Sequence, residues 1–147
     1  MTKRHVALPD DAEATLRGFV SAVDDRLAAA TGPAELADAV TETLVDLHGD
    51  REAYERWRDD DAVSPVEAAR FANYDPRNAT LESEYYAEKD AERFQRSKYL
   101  QWLWRQFDAT PMADNVAFAL RFRQMLADHL FADCGDDCRF FKGITFT

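Results

Sequence analysis

The sequence predicts a mainly α-helical bundle of about five to six helices, with a short β-strand segment at the C-terminus. Apolar residues recur at helical spacing through most of the chain, and helix-start and helix-stop signals separate the periodic runs. The chain has 147 residues, 46% of them hydrophobic, which is enough for one domain with a substantial core. The predicted division is an α-helical domain over residues 1–132 and a turn and strand over residues 133–147.

The first two predicted helices have clear boundaries. Asp10 or Asp11 can cap the first helix, which ends at Gly32-Pro33. Its apolar positions follow helical spacing: Ala12, Leu16, Phe19, Val20, Val23 and Leu27. The second helix is predicted over residues 33–48, with Gly49 as its stop. A short charged stretch that contains Tyr54 and Trp57 follows.

Three further helical segments are predicted. Ser64 begins the first of them, because its hydroxyl can cap the helix and Glu67 can reach back in a capping box. Residues 80–107 have a helical pattern in two halves, a charged first half and a second half with a broad apolar face. The last helix starts at Thr110-Pro111 and runs to about Phe131. It is apolar on two sides, which predicts packing partners on both.

From Asp133 the pattern changes to a turn and a strand. Residues 134–137 have turn composition, and residues 139–147 have strand composition. A lone strand can neither pair its backbone hydrogen-bonding groups nor bury its aromatic face. The sequence therefore predicts that the chain is a truncation, or that another chain completes the strand.

The charge of the chain limits its partners and its location. Asp and Glu number 28 against 18 Lys and Arg, for a net charge of −10. Such a chain repels phosphate backbones and anionic lipids, so neither a nucleic-acid nor a membrane partner is predicted. High Asp with scarce Lys resembles the composition of proteins from salt-accumulating halophiles such as halophilic archaea. The N-terminus has no apolar region of a signal peptide, and we predict a cytoplasmic protein.

Candidate catalytic and metal-binding residues are sparse. Cys134 and Cys138 lie near His129, but zinc needs four ligands and a second ligand pair is missing, so no metal site is predicted. Two small thiols that flank a turn are the alternative. The sequence lacks a Gly-x-Ser-x-Gly motif and a glycine-rich phosphate loop. Its carboxylates are too numerous for spacing to single out an acid–base pair, so no catalytic residue is predicted.

Four stretches carry a resemblance to a known family: residues 86–92 (Tyr-Ala-Glu-Lys-Asp-Ala-Glu), residues 103–108 (Leu-Trp-Arg-Gln-Phe-Asp), residues 125–131 (Met-Leu-Ala-Asp-His-Leu-Phe) and residues 134–140 (Cys-Gly-Asp-Asp-Cys-Arg-Phe). Over about 60 residues the chain resembles the N-terminal helical region of hexapeptide-repeat acetyltransferases of the maltose and galactoside type. In that family the helical region precedes a left-handed parallel β-helix. The resemblance implies that the C-terminal segment approaches the first coil of such a β-helix.

The resemblance implies an acyltransferase that uses acetyl-CoA or another acyl-CoA and a hydroxyl or amine acceptor. The catalytic His of the family lies in the β-helix and has no counterpart here, so the chain would hold no complete active site and no cofactor of its own. Asp90 falls on a family residue that binds the acceptor, and Arg96 matches a family arginine approximately. The implied partners are a C-terminal β-helix domain of the same protein and two further copies in a homotrimer.

Two other functions remain open at this point. One is a stand-alone acidic interaction module that binds a protein partner through aromatic faces around Trp102, Trp104, Phe118 and Phe122. The other is a metal-dependent enzyme around Cys134 and Cys138, which a zinc analysis of the purified protein would test.

Overall fold

The structure is a computed structural model, and it describes residues 7–146. These residues form seven α-helices and two 3₁₀ turns, which confirms the mainly helical prediction. The helices are α1 (Asp10–Ala29), α2 (Pro33–His48), α3 (Arg51–Arg58), α4 (Pro65–Ala72), α5 (Glu82–Tyr86), α6 (Ala91–Asp108) and α7 (Val116–Leu130). The 3₁₀ turns are Pro76–Asn78 and Pro111–Asp114.

The four long helices close into a ring. α1 packs on α2, α2 on α6, α6 on α7, and α7 back on α1. Their inward faces form one core, which includes Val23, Leu27, Val40, Leu44, Leu100, Leu103, Phe107, Phe118, Phe122 and Leu126. At its centre the Phe107 and Phe122 rings stack with their centroids 4.1 Å apart. The burial of these faces drives the assembly of helices that would be marginal alone.

The structure has more helices than predicted, for two reasons. The charged stretch after Gly49 folds into α3 because Tyr54 is buried in an aromatic cluster with Trp57, Phe71 and Tyr74. The two halves of residues 80–107 are separate helices, α5 and α6, because the chain leaves the helical conformation between them and Asp90 caps a new helix. The predicted start at Ser64 is confirmed, with the Ser64–Glu67 capping box formed.

The predicted C-terminal strand is wrong for the part of the chain that the structure describes. Residues 139–146 have no regular secondary structure apart from a turn at Lys142 and Gly143, and residues 7–146 contain no strand. An isolated extended segment has no neighbouring strand to share backbone hydrogen bonds with, so no ladder forms. The segment packs its aromatic side chains on the helices instead. Thr147 lies outside the described residues.

Alanine substitution should have opposite effects on stability at Gly49 and at Gly18. Gly49 ends α2 with φ +68°, a conformation that a Cβ disfavours, whereas Gly18 lies inside α1 with open space around it. We expect Gly49→Ala to lower the free energy of unfolding by about 1 kcal/mol and Gly18→Ala to raise it by about 0.5–1 kcal/mol. Urea unfolding followed by circular dichroism measures both. A loss at both positions would contradict the expectation.

A charge network between α1, α2 and α3 predicts that the folded state loses part of its stability at low pH. The Asp46 carboxylate lies 2.9 Å from Arg26 Nη2 and 2.8 Å from Arg51 Nη2. Partial burial opposes ionisation, but hydrogen bonds from Arg51 and Arg26 outweigh it and hold the pKa of Asp46 below its ordinary value of 3.8. With the folded pKa below the unfolded one, the stabilisation is present at neutral pH and is lost as the pH falls through the folded pKa.

We therefore expect Asp46→Asn to cost at most about 1 kcal/mol at neutral pH, because the carboxylate is one-third exposed. The variant should also lose less stability than the parent chain on acidification below about pH 4. Urea unfolding of both proteins at a series of pH values measures this difference. If the free energy of unfolding changed with pH in the same way for both proteins, Asp46 would not contribute to the loss of stability in acid.

Candidate functional site

The C-terminal segment has two parts, which we call the cysteine turn (residues 134–138) and the strap (residues 139–146). The cysteine turn follows α7, and its closing bond runs from the Cys138 N–H to the Gly135 carbonyl oxygen over 3.3 Å. The Gln124 side chain on α7 contacts this turn, with Nε2 at 3.4 Å from Cys134 Sγ and at 3.4 Å from the Gly135 carbonyl oxygen. Both cysteines are free thiols and half-buried.

The strap docks on α6 through its aromatic side chains. Phe140 and Phe146 meet the Trp104 ring edge-on, with centroid distances of 5.5 Å and 5.3 Å. The ring centroid of Phe131, just beyond α7, lies 6.0 Å from that of Phe140 and 6.4 Å from that of Phe146. Trp104 is fully buried as a result. Edge-to-face pairs of this kind add roughly 0.5–1.5 kcal/mol each beyond area burial, so the strap is held at two points along its length.

A buried arginine fastens the strap from the α7 side. Arg123 is 2% exposed, and its Nη1 donates to the Phe140 carbonyl oxygen at 3.1 Å. Its Nε donates to Asp108 Oδ1 at the end of α6, at 2.8 Å. The guanidinium therefore joins α6, α7 and the strap. Sequence reasoning missed this residue, although a charged side chain within the apolar run of α7 was a signal for a buried partner.

A groove of about 740 Å³ separates α7 from the cysteine turn. Its α7 wall includes Val116 and Leu120, which lie on one of the two apolar sides predicted for the last helix. Val116 is 55% exposed, so this side is only partly covered. The opposite wall carries charged residues of the turn and strap, and the full lining is Leu8, Asn115, Val116, Ala117, Leu120, Arg121, Gln124, Met125, Asp128, Asp136, Asp137, Cys138 and Arg139.

The predicted acceptor-binding residues lie at the start of α6 and have separate partners. The Asp90 carboxylate caps α6 by accepting from the backbone N–H groups of Glu92 and Arg93, at 3.1 Å and 3.2 Å. Arg96 Nη2 donates to the His129 carbonyl oxygen at 3.2 Å and so ties α6 to the end of α7. Both side chains are exposed. They do not share a hydrogen-bond partner among the described residues.

A second pocket lies beside Asp90, between α5 and the first turns of α6. It encloses about 560 Å³ and is lined by Arg77, Glu84, Ala87, Glu88, Lys89, Ala91, Phe94, Gln95, Lys98 and Tyr99. Two of the four lysines of the chain line it. Both cations already have contacts, since Lys98 Nζ lies 3.0 Å from Glu84 and Lys89 sits over the Phe94 ring. The pocket therefore offers polar groups of both signs.

The histidine considered as a metal ligand is engaged elsewhere. His129 Nε2 donates to Asp24 Oδ1 on α1 at 2.6 Å, which fastens α7 to α1. Within residues 7–146, no group of three or more His, Cys, Asp or Glu side chains is placed to hold a metal ion.

The aromatic residues considered for partner binding are mostly core. Trp104, Phe118 and Phe122 are at most 1% exposed, which corrects their predicted role in a protein-binding face. Trp102 is half-buried, and its indole N–H donates to the Asn73 carbonyl oxygen at 3.0 Å. Among the described residues, the large apolar side chains that remain on the surface are Val66, Tyr85, Tyr86, Val116, Phe131 and Phe141.

Comparisons with known proteins identify no relative: no protein-family model, curated protein or solved structure matches this chain. Among the described helices, none combines the length and the apolar character needed to cross a lipid bilayer.

Proposed function

We propose that this chain is the helical N-terminal part of an acyltransferase that moves an acyl group from acyl-CoA to a hydroxyl or amine acceptor. The catalytic part, a left-handed β-helix with a His as general base, would belong to a segment outside these 147 residues. In this proposal the bundle holds the approach to the first coil and contributes acceptor-binding groups. The assembled enzyme would be a homotrimer.

The observation that carries the proposal is the docking of the strap. The first stretch that resembles the acetyltransferase family spans the end of α5, the linker and the start of α6. The others fall on α6, α7 and the segment after α7, and these three elements pack as one unit around Trp104 and Arg123. The strap has no regular secondary structure apart from a turn at Lys142 and Gly143, and Phe140 and Phe146 fix it on the bundle. This packing supports a role in which the helices hold the segment that leads to a neighbouring β-structure.

The placement of Asp90 is compatible with acceptor binding. Its Oδ1 accepts the capping bonds, but a carboxylate has about four acceptor positions and this one is exposed beside the 560 Å³ pocket. Arg96 keeps further N–H donors besides the one that bonds His129. Both groups therefore retain capacity for the hydroxyls of an acceptor.

The first experiment is to read the source gene past the codon for Thr147. An open frame that continues into hexapeptides beginning with an aliphatic residue and glycine, with an embedded His, would support the proposal. A stop codon directly after Thr147 would contradict it as an account of this chain.

The second experiment tests Asp90 in the full-length enzyme by following the release of CoA thiol. Asp90→Asn keeps a side chain that caps a helix well, so stability should be retained. If Asp90 binds the acceptor, kcat/KM for the acceptor should fall roughly tenfold, the size of one lost charge-assisted hydrogen bond, while KM for acyl-CoA is unchanged. Glu88→Ala, at an exposed carboxylate that lines the adjacent pocket, is the control. Equal kinetics for both variants would remove Asp90 from the site.

A second candidate function, an interaction module, is favoured by the half-covered apolar side of α7. Val116 is 55% exposed at the groove, and on α5 Tyr85 and Tyr86 are each 82% exposed. Exposed aromatic and aliphatic side chains of this kind are enriched at protein interfaces. A chain that ends at Thr147 and is monomeric would favour this candidate over the acyltransferase.

A further inference from the structure

The two cysteines of the cysteine turn stand at its two ends, near enough for their thiols to interact. The Cys138 thiol raises the pKa of the Cys134 thiol. The turn is closed by a bond from the Cys138 N–H to the Gly135 carbonyl oxygen, and a Cβ placed on Gly135 would be in van der Waals contact with Cys138 Sγ at 3.7 Å. The fold thus brings together the only two cysteines of the chain, four residues apart.

The surroundings of the two thiols differ. Cys138 lines the open groove beside α7, where a small molecule has access to it. Cys134 lies against α7, where Gln124 Nε2 is 3.4 Å from its sulfur. Burial, together with the Cys138 thiol and the Asp128 carboxylate, raises the pKa of Cys134, and the Gln124 hydrogen bond offsets this only in part. Cys134 is therefore protonated at neutral pH, and Cys138 is the more accessible nucleophile.

We propose that Cys134 and Cys138 form a dithiol site that small uncharged disulfides oxidise reversibly to an intramolecular disulfide. The Cys138 thiolate attacks one sulfur of the small disulfide, forms a mixed disulfide and releases one thiol. Cys134 then loses its proton and attacks Cys138 Sγ, which releases the second thiol. The small disulfide gains two electrons and two protons, and the protein loses two hydrogen atoms as one S–S bond forms. This site is independent of the proposed acyltransferase function.

The preference for uncharged reagents follows from the acidic surroundings of the turn. Asp128, Asp133, Asp136 and Asp137 lie on or beside the turn. The cations that line the groove are Arg139 and Arg121, and Arg121 is paired with Glu13. An anionic disulfide such as oxidised glutathione is repelled by this field, and an uncharged one such as bis(2-hydroxyethyl) disulfide is not. Salt should remove the difference, because the Debye length shrinks to about 3 Å at about 1 M salt.

The test uses the full reduced chain, incubated without oxygen with each disulfide, then quenched in acid, alkylated and weighed as the intact protein. We expect a product that lacks two hydrogen atoms, carries no adduct and no alkyl group, and returns to the dithiol with dithiothreitol. Cys134→Ser and Cys138→Ser should each stop at a mixed disulfide, and Cys134→Ser, which keeps Cys138, should react faster. At low salt the uncharged reagent should react at least about threefold faster than oxidised glutathione, and the rates should converge in about 1 M salt.

The same disulfide reaction, followed in denaturant, shows how much the fold favours the intramolecular disulfide. The equilibrium constant for forming the intramolecular disulfide should be at least about tenfold higher in the folded chain than in the denatured chain. Equal constants would overturn the proposal, because the turn would then not position the thiols. Two mixed disulfides per folded chain, or disulfide-linked dimers in place of the internal bond, would also overturn it. Equal rates for the two reagents at low salt would overturn the selectivity for uncharged disulfides.

Discussion

Replacing Trp104 with alanine is expected to lower the free energy of unfolding by about 3–5 kcal/mol. Trp104 is fully buried, and it is the surface on which Phe140 and Phe146 of the strap rest. The substitution leaves a cavity in α6 and removes both edge-to-face contacts, so the strap should loosen as well as the core. Equilibrium urea unfolding measures the first effect. Faster trypsin cleavage after Arg139 and Lys142 measures the second.

Two variants control this experiment. Trp104→Phe should cost less, because it keeps a ring for the strap. The group it removes, the indole N–H, has no hydrogen-bond partner within residues 7–146, so no acceptor is left unpaired. Tyr85→Ala, at a side chain that is 82% exposed, should change the stability by less than about 0.5 kcal/mol. If Trp104→Ala costs no more than Tyr85→Ala, the packing described for the strap is wrong.

Replacing Asp108 with alanine is expected to cost about 3 kcal/mol, because it leaves the charge of Arg123 without its carboxylate in a buried position. The Arg123 side chain is 2% exposed and that of Asp108 is 14% exposed. The double variant Asp108→Ala/Arg123→Met should be more stable than Asp108→Ala alone, since the uncompensated charge is then gone. A double-mutant cycle by urea unfolding measures this coupling.

The exposed ion pair of the strap provides the matched control. Lys142 Nζ lies 3.0 Å from Asp114 Oδ1, with side chains that are 52% and 72% exposed. Asp114→Ala should therefore cost less than about 0.5 kcal/mol. Additive effects of the two buried substitutions would contradict the expectation, because they would show that Arg123 and Asp108 do not interact.

The helix boundaries were largely predictable from the sequence because they depend on neighbouring residues. The Ser64 capping box, the Pro33 start and the Gly49 stop each involve groups a few positions apart, and all three are present in the structure. The helix α3 was not predicted, since its local pattern is mostly charged and its stability depends on the burial of Tyr54 against Phe71 and Tyr74. Such contacts between distant segments leave little trace in a short window of sequence.

The structure of the C-terminal segment also depends on contacts that its local sequence does not reveal. The composition of residues 139–146 predicts a strand, but a strand needs a second backbone beside it, and composition does not encode one. The segment instead turns at Lys142 and Gly143. The site built around Arg123 depends on Asp108, 15 residues away, and on a carbonyl of the strap, 17 residues away. The proximity of Cys134 and Cys138 was readable as a turn, whereas their contact with Gln124 required the geometry of α7.

The pairing of α1 with α7 has a consequence for synthesis on the ribosome. Asp24 and His129, which join the two helices, are 105 residues apart in the chain. At about 5–20 residues per second, α1 is made roughly 5–20 s before α7 exists. During that interval the face of α1 that carries Phe19, which stacks on Phe122 in the finished bundle, has no permanent cover. The nascent chain therefore has a window in which this aromatic surface is open to chaperones or to neighbouring nascent chains, and the window closes when α7 leaves the exit tunnel.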